Sequence, residues 1–230
     1  MLRSFFLALA LFATPGVAMA QSQGIQVAPV LVSLSPEHAI DSIRLRNGRS
    51  RAVAFEVEAY AWSQVDGQDR LTPTNELIVA PGVFEIAANS AQTVRLGVRD
   101  SNGGESERAY RILLRELPRQ EQTGAALGFT LEMSLPVFVT PRGAQANLIS
   151  RTEGGRLVLT NSGSSFAQIS ILQTSQQRIP SPRYLLAGSS AAVAIPAQTS
   201  TLRLIATTGD GQHSERTIHV GPTDQHASLR

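Results

Sequence analysis

"LGFTLEMSLPVFV", residues 127–139, decides how the chain is read, because apolar residues alternate there with polar or small ones. Successive side chains of an extended chain point to opposite faces. Leu127, Phe129, Leu131, Met133 and Leu135 therefore share one face, and Gly128, Thr130, Glu132 and Ser134 share the other. The row of apolar side chains must fill something apolar, either the chain's own core or a groove on another molecule. Alternation looks the same in both cases.

The segments around it have the same character. "IQVAPVLVSL", "SIRLRNG", "AVAFEVEAYAW", "QTVRLGVR" and "AYRILLREL" are short, rich in β-formers and separated by turn residues, a pattern that predicts a sandwich. No stretch after Ala20 carries a helical period. At "TPRGAQ" (140–145) the pattern pauses on Pro-Arg-Gly, which suits a hinge. Strands resume with "RLVLTNSG", "FAQISILQ", "AAVAIP" and "TLRLIATT", and the polar end, 221–230, is expected to fray as a flexible tail. "IRLRNG" (43–48) and "LVLTNSG" (157–163) echo one another, each running from alternating apolar residues into Asn and Gly, which tolerate the positive φ of a tight turn. The expected architecture is all-β: two immunoglobulin-like sandwiches, residues 21–141 and 142–220, joined by a short hinge.

Residues 1–20 are set apart from that fold. A basic start at Arg3, an apolar run from Phe5 to Phe12 and the small residues "AMA" suit signal-peptidase cleavage after Ala20. The run is too short to span a bilayer and is broken by Pro15, and no later segment is apolar enough to cross one, so no stable membrane insertion is expected. The remaining chain, roughly 210 residues long, has no cysteine and must hold together in an oxidising compartment through hydrophobic cores alone.

Composition narrows the chemistry. The net charge of +2, with pI near 9.6, and the scattered arginines do not suit nucleic acid. All 20 basic residues are arginine, so any anion site must use guanidinium groups, which favour bidentate recognition of carboxylates. His38, His213, His219 and His226 lack metal-ligand spacing, so no metal and no cofactor is expected. A P-loop would need a lysine, and no Gly-x-Ser-x-Gly elbow is present. Ser164 and Ser165 read as turn residues, and Glu56 and Glu58 as solvated strand carboxylates. No catalytic constellation emerges, and the expectation is a protein that is not an enzyme.

"AYRILLRELP" (109–118) is similar to the F1 strand, with its Arg-Glu-x-Pro ending, of the periplasmic pilus-assembly chaperones of the chaperone–usher pathway. "LGFTLEMSLPVFVTP" (127–141) is similar to the G1 strand that follows it, and "TVRLGVR" (93–99) and "YLLAGSS" (184–190) also match. The resemblance spans nearly the whole chain after residue 20, and the "SLPVFV" form is closer to the archaic, spore-coat-type branch. It implies a periplasmic location, pilin subunits and an outer-membrane usher as partners, and no enzymatic activity. It also implies that G1 is an edge strand whose apolar row (Leu127, Phe129, Leu131, Met133, Leu135) enters the open groove of an unfinished pilin while main-chain hydrogen bonds join the two edges. Each such side chain contributes roughly 1.5–3 kcal/mol on burial. Val137 and Val139, near the hinge, are assigned instead to the chain's own core. Self-capping of the free protein as an oligomer is left open.

The sequence departs from the family at one point. Members of the best-known branch hold the pilin's C-terminal carboxylate with an arginine on the first strand and a lysine on G1. Here "IQVAPVLVSL" has no basic residue, lysine is absent, and Pro136 or its neighbours occupy the place of the G1 lysine. A carboxylate buried in an interdomain cleft needs a cation. Arg95 is the first candidate, with Arg111 and Arg99 behind it, while Arg115 is expected to form an ion pair with Glu116. Two other classes compete. An exported binding or adhesive sandwich should expose aromatic platforms, yet aromatics are 5% of the chain, and a β-sandwich hydrolase should show catalytic residues.

Overall fold

The computed structural model describes residues 24–101, 104–118, 130–209, 211–220 and 227–228. Its regular elements are all strands: β1 (Ile25–Ala28), β2 (Val32–Leu34), β3 (Ile40–Asn47), β4 (Val53–Val65), β5 (Gln68–Pro73), β6 (Leu77–Ala80), β7 (Val83–Ile86), β8 (Ala91–Val98), β9 (Arg108–Glu116) and β10 (Glu132–Val139) form the first group. The second comprises β11 (Leu148–Glu153), β12 (Arg156–Asn161), β13 (Ala167–Gln173), β14 (Tyr184–Leu185), β15 (Ser190–Ala194), β16 (Thr201–Thr208), β17 (His213–His219) and β18 (Ala227–Ser228). Each group builds two sheets. The first has the orders β1-β3-β8-β6 and β2-β10-β9-β4-β5, with β7 also on β4; the second has β15-β12-β11-β18 and β14-β13-β16-β17. The protein is therefore two immunoglobulin-like β-sandwiches, with the hinge between β10 and β11. Two residues of the polar end, Ala227 and Ser228, pair with β11.

Period-2 alternation places the cores. On β3 and β8, Ile43, Leu45, Val94 and Leu96 are buried while their strand neighbours Arg44 and Arg95 are exposed. These residues meet Phe55, Ile112, Leu114 and Val137 of the facing sheet in one cluster. A second cluster joins Leu157 and Leu159 to Leu202, Leu204 and Leu185. Both sheets of each sandwich contribute, because each strand has one apolar face to remove from water.

The echoed Asn motifs are not positive-φ turns. Asn47 and Asn161 are fully buried at the ends of β3 and β12, and each bolts its own sandwich. Asn47 Nδ2 donates to the carbonyls of Arg51, Ile86 and Ala87 at 2.7–3.1 Å, and its Oδ1 accepts from the Arg49 N–H at 3.0 Å. Asn161 Nδ2 donates to Ser165 O and Leu185 O at 2.7 and 3.0 Å, and its Oδ1 accepts from the N–H groups of Asn147 and Gly163 at 3.1 Å. Gly163 is required for space rather than for φ, since a Cβ there would lie 2.2 Å from Gln145 O.

The expected Arg115–Glu116 pair does not form, because adjacent strand residues face opposite sides. Glu116 turns inward to Arg49 at 2.5 Å, and Arg115 turns outward to Glu58 at 2.5 Å and Glu132 at 3.0 Å. Glu58 is thus paired rather than only solvated.

Candidate functional site

Two features converge on one side of the first sandwich: an open strand edge and a cleft against the second sandwich. The edge belongs to β10. On one side β10 pairs with β9 along its whole length, from Glu132 opposite Arg115 to Val139 opposite Arg108. On the other, β2 covers only Val137–Val139. Among the described residues Glu132–Pro136 has no strand on that side. Pro136 suits such an edge, because a proline cannot donate to a ladder. The pairing with β9 continues one residue before β10, where the Glu116 N–H donates to Leu131 O at 2.8 Å.

The apolar row on this strand divides. Val137 and Val139 are buried in the chain's own core, as assigned from their place near the hinge. Leu135 is also there, 8% exposed. Leu135, expected in the donated row, is thus packed against its own sandwich in this chain alone. Leu131 and Met133 are only half-buried and rest against the rim of that core. Leu127 and Phe129 lie outside the described residues.

The cleft is built by the long hairpin of β4 and β5. Its turn, Asp66–Gly67, has positive φ at both residues, 53° and 74°, which favours glycine at the second. A Cβ at Gly67 would sit 3.3 Å from Ala191, so the turn packs closely on the second sandwich. Just before it, Gln64 clamps that sandwich: Nε2 donates to Tyr184 O and Oε1 accepts from the Leu186 N–H, both at 3.0 Å. An aromatic cluster fills the junction, with Phe138 stacked on Phe166 at 3.9 Å and Trp62 edge-on to Tyr184 at 5.6 Å. Glu107, ahead of β9, accepts hydrogen bonds from the Thr140 and Ser165 hydroxyls and the Phe166 N–H at 2.7–2.9 Å. Burial pushes this carboxyl above the ordinary glutamate value, and the three donors oppose the shift.

Between these contacts lies a cavity of about 320 Å³ with Trp62, Gln64, Asp69, Arg111, Arg183 and Tyr184 in its lining. The Arg111 guanidinium lies 3.9 Å from the Trp62 ring centroid and 5.9 Å from that of Tyr184. Asp69 Oδ2 is 3.8 Å away, too far for a direct hydrogen bond. Burial pulls the Arg111 pKa below its ordinary value, the Asp69 charge works against that shift, and the group stays cationic. Arg183 brings a second guanidinium to the same cavity, 5.8 Å from the Tyr184 ring. The Trp62 indole N–H is buried without an acceptor among the described residues.

The three candidate anchors separate clearly. Arg95 is exposed on the outer face of the other sheet, between Ser42 and Ala80, away from the cleft. Arg99 is also exposed and donates to Asn75 O at 2.8 Å. Of the three only Arg111 lines the cavity, although Arg95 is the first expectation from sequence: period-2 alternation marks Arg95 as outward but does not say which sheet it leaves. Arg183, absent from the candidates, carried no motif that could have flagged it. Among the described residues no group of His, Cys, Asp and Glu could hold a metal ion.

Comparison with known proteins places this geometry. The family described as "Pili and flagellar-assembly chaperone, PapD N-terminal domain" matches residues 24–145, more than half of the 230-residue chain. No curated protein sequence matches the chain. Among solved structures, a chain of the CsuC–CsuE chaperone–tip adhesion subunit pre-assembly complex, from archaic chaperone-usher Csu pili of Acinetobacter baumannii, superposes with a TM-score of 0.69 at 20% identity, over 84% of this chain and 97% of that one. A chain of the Salmonella enterica SafA pilin–SafB chaperone complex gives 0.70 at 13% identity, covering 88% and 99%. The E. coli chaperone DraB gives 0.68 at 14% identity, covering 86% and 96%. At these identities the superpositions establish a shared fold.

Proposed function

Because the chain belongs to the pili and flagellar-assembly chaperone family, we propose that it works in the periplasm, holds incomplete immunoglobulin-like pilin subunits and delivers them to an outer-membrane usher. It does so by strand addition, without catalysis or a cofactor, as an exported protein comprising a signal peptide (1–20), two sandwiches (21–141 and 142–220) and a polar tail (221–230).

The observation that carries this reading is the half-covered edge of β10. Glu132–Pro136 offers main-chain donors and acceptors on a side where β2 does not reach. An exposed edge recruits another strand, and a subunit lacking a strand of its own supplies the complementary edge. In this reading Leu127, Phe129, Leu131 and Met133 extend into the subunit's groove, while Leu135 anchors the strand in the chaperone. The half-burial of Leu131 and Met133 supports a row that passes from one core to the other.

Arg111, with Arg183 beside it, takes the subunit's C-terminal carboxylate in place of the missing arginine–lysine pair. It stands opposite Pro136 on β9, one strand in from the open edge, and its Nη1 lies 3.5 Å from Ser134 Oγ of β10. In a partly desolvated site a carboxylate hydrogen-bonded to arginine is bound more strongly than at an open surface. The same open edge makes self-capping of the free protein a natural resting state.

Co-expression tests the reading. A small exported β protein encoded in the same gene neighbourhood should become soluble, as a one-to-one complex, only in the presence of this chain. Equal insolubility with and without it would rule the chaperone function out.

A further inference from the structure

Among the described residues, Asp69 is the one carboxylate in the lining of the Arg111 cavity, and it is placed to oppose the ligand that the cavity's two arginines favour. Its Oδ2 stands 3.8 Å from the Arg111 guanidinium. Its Oδ1 accepts from Gln64 Nε2 at 2.9 Å. That Gln64 amide also donates to Tyr184 O, so Asp69 is held in place through a side chain fixed to the second sandwich. Asp69 is half-exposed, but its hydrogen bond to Gln64 limits how far it can swing away from an incoming anion. The hairpin register fixes it further, since Asp69 pairs directly with Gln64 across β4 and β5.

We propose that Asp69 is a resident counter-carboxylate that limits how tightly the cleft holds the C-terminal carboxylate of a subunit, and so sets the balance between capture and release. The inference rests on the assignment of that carboxylate to Arg111. Two guanidinium groups and one carboxylate leave the cavity with a net charge of +1, matched to a single carboxylate. Without Asp69 the cavity would carry +2, and its grip on an anion would strengthen. At 3.8 Å the Asp69 contact with Arg111 is Coulombic, with no close hydrogen bond to be broken. Arg111 Nη1 makes only a long contact of 3.5 Å to Ser134 Oγ, so the incoming carboxylate meets a guanidinium whose charge is partly offset and whose hydrogen bond to that hydroxyl is weak. A chaperone must surrender its cargo, and an unopposed pair of arginines would slow that step, because affinity differences within one interface lie mainly in the dissociation rate.

The test uses the mature protein and Trp62, the chain's single tryptophan, which lies against Arg111 and reports occupancy by its fluorescence. The probe is a short synthetic peptide of alternating valine and serine ending in a free carboxylate, with the same peptide as its C-terminal amide for control. Asp69→Asn is the variant of choice, because the asparagine Oδ1 still accepts from Gln64, and a melting curve checks that it folds. The expected result is a dissociation constant for the acid about three- to tenfold lower in D69N than in wild type, scaled for a half-exposed pair, with no change for the amide. A slower dissociation of the acid should account for most of it. If wild type prefers acid to amide and D69N binds the acid no more tightly, the role of Asp69 is overturned and the anchor stands. Tightening of acid and amide alike would also overturn it, since a neutral end feels no charge. If wild type does not distinguish acid from amide, the carboxylate assignment to Arg111 itself fails.

Discussion

The guanidinium of Arg111 lies over the indole of Trp62, its central carbon 3.9 Å from the ring centroid. The two come from neighbouring strands, β9 and β4, on the sheet face that turns toward the second sandwich. A cation held over an aromatic face gains about 0.5–1 kcal/mol at an exposed site and more when desolvated. The contact helps to hold the guanidinium at the cavity.

Replacing Arg111 should therefore separate binding from folding. Arg111→Ala is expected to weaken subunit capture by about 2–5 kcal/mol, the range for removing one partner of a hydrogen-bonded charge pair. Arg111→Lys should restore only part of it, since an ammonium cannot form the bidentate pair. Arg95→Ala, on the far sheet, should bind as wild type does. Calorimetric titration with a purified subunit decides this, and equal affinity of wild type and Arg111→Ala would remove the anchor.

The divided apolar row gives a second expectation. Leu131→Asp with Met133→Asp should abolish subunit binding and leave the free protein folded, because both side chains already meet solvent at the rim. Leu135→Ala should instead destabilise the protein itself by about 2–5 kcal/mol, as large-to-small changes in a packed core do. Thermal melts distinguish the two. Unfolding of the Leu131/Met133 variant would assign those positions to the chaperone's own core.

Asn47→Ala and Asn161→Ala should each be among the more damaging single changes outside the apolar cores. Either change strands buried backbone carbonyls and at least one N–H, a loss of about 1–3 kcal/mol per unsatisfied group. The two sites sit in different sandwiches with no shared partners, so their effects on denaturant midpoints should be nearly additive.

Glu107 supplies a pH signature. Its folded-state pKa lies above the ordinary value of 4.5, through burial. The folded state therefore binds a proton more readily than the unfolded state between those two values. Its contribution to stability is fully present below about 4.5 and is lost as pH rises through the raised folded value. Glu107→Gln cannot titrate, so the difference in melting temperature between wild type and variant should change across that window and be flat above it. A constant difference throughout would show that the carboxyl titrates normally.

Much of this architecture is written locally. Alternation in "SIRLRNG", "QTVRLGVR" and "SLPVFV" specifies strands and their apolar faces, because a sandwich strand has to bury one side whatever its neighbours are. The Pro-Arg-Gly pause near residue 141 marks the break between two cores for the same kind of reason: turn chemistry is set by a few adjacent residues. Lysine-free composition restricts any side-chain cation at the cleft to arginine or histidine. Which arginine was not legible. Arg95 and Arg111 sit on similar alternating strands, and only the pairing of β9 with β4, and the docking of the Gly67 turn on Ala191, turns one toward the cleft and leaves the other on an outer face. Nor does alternation tell Leu135 from Leu131 and Met133: all three share one face of the strand, and only the tertiary packing buries Leu135 while leaving the other two half-buried. Asn47 and Asn161 read as turn residues, yet their carboxamides serve carbonyls up to 40 residues away. Such contacts join segments remote in sequence, and no local pattern encodes them.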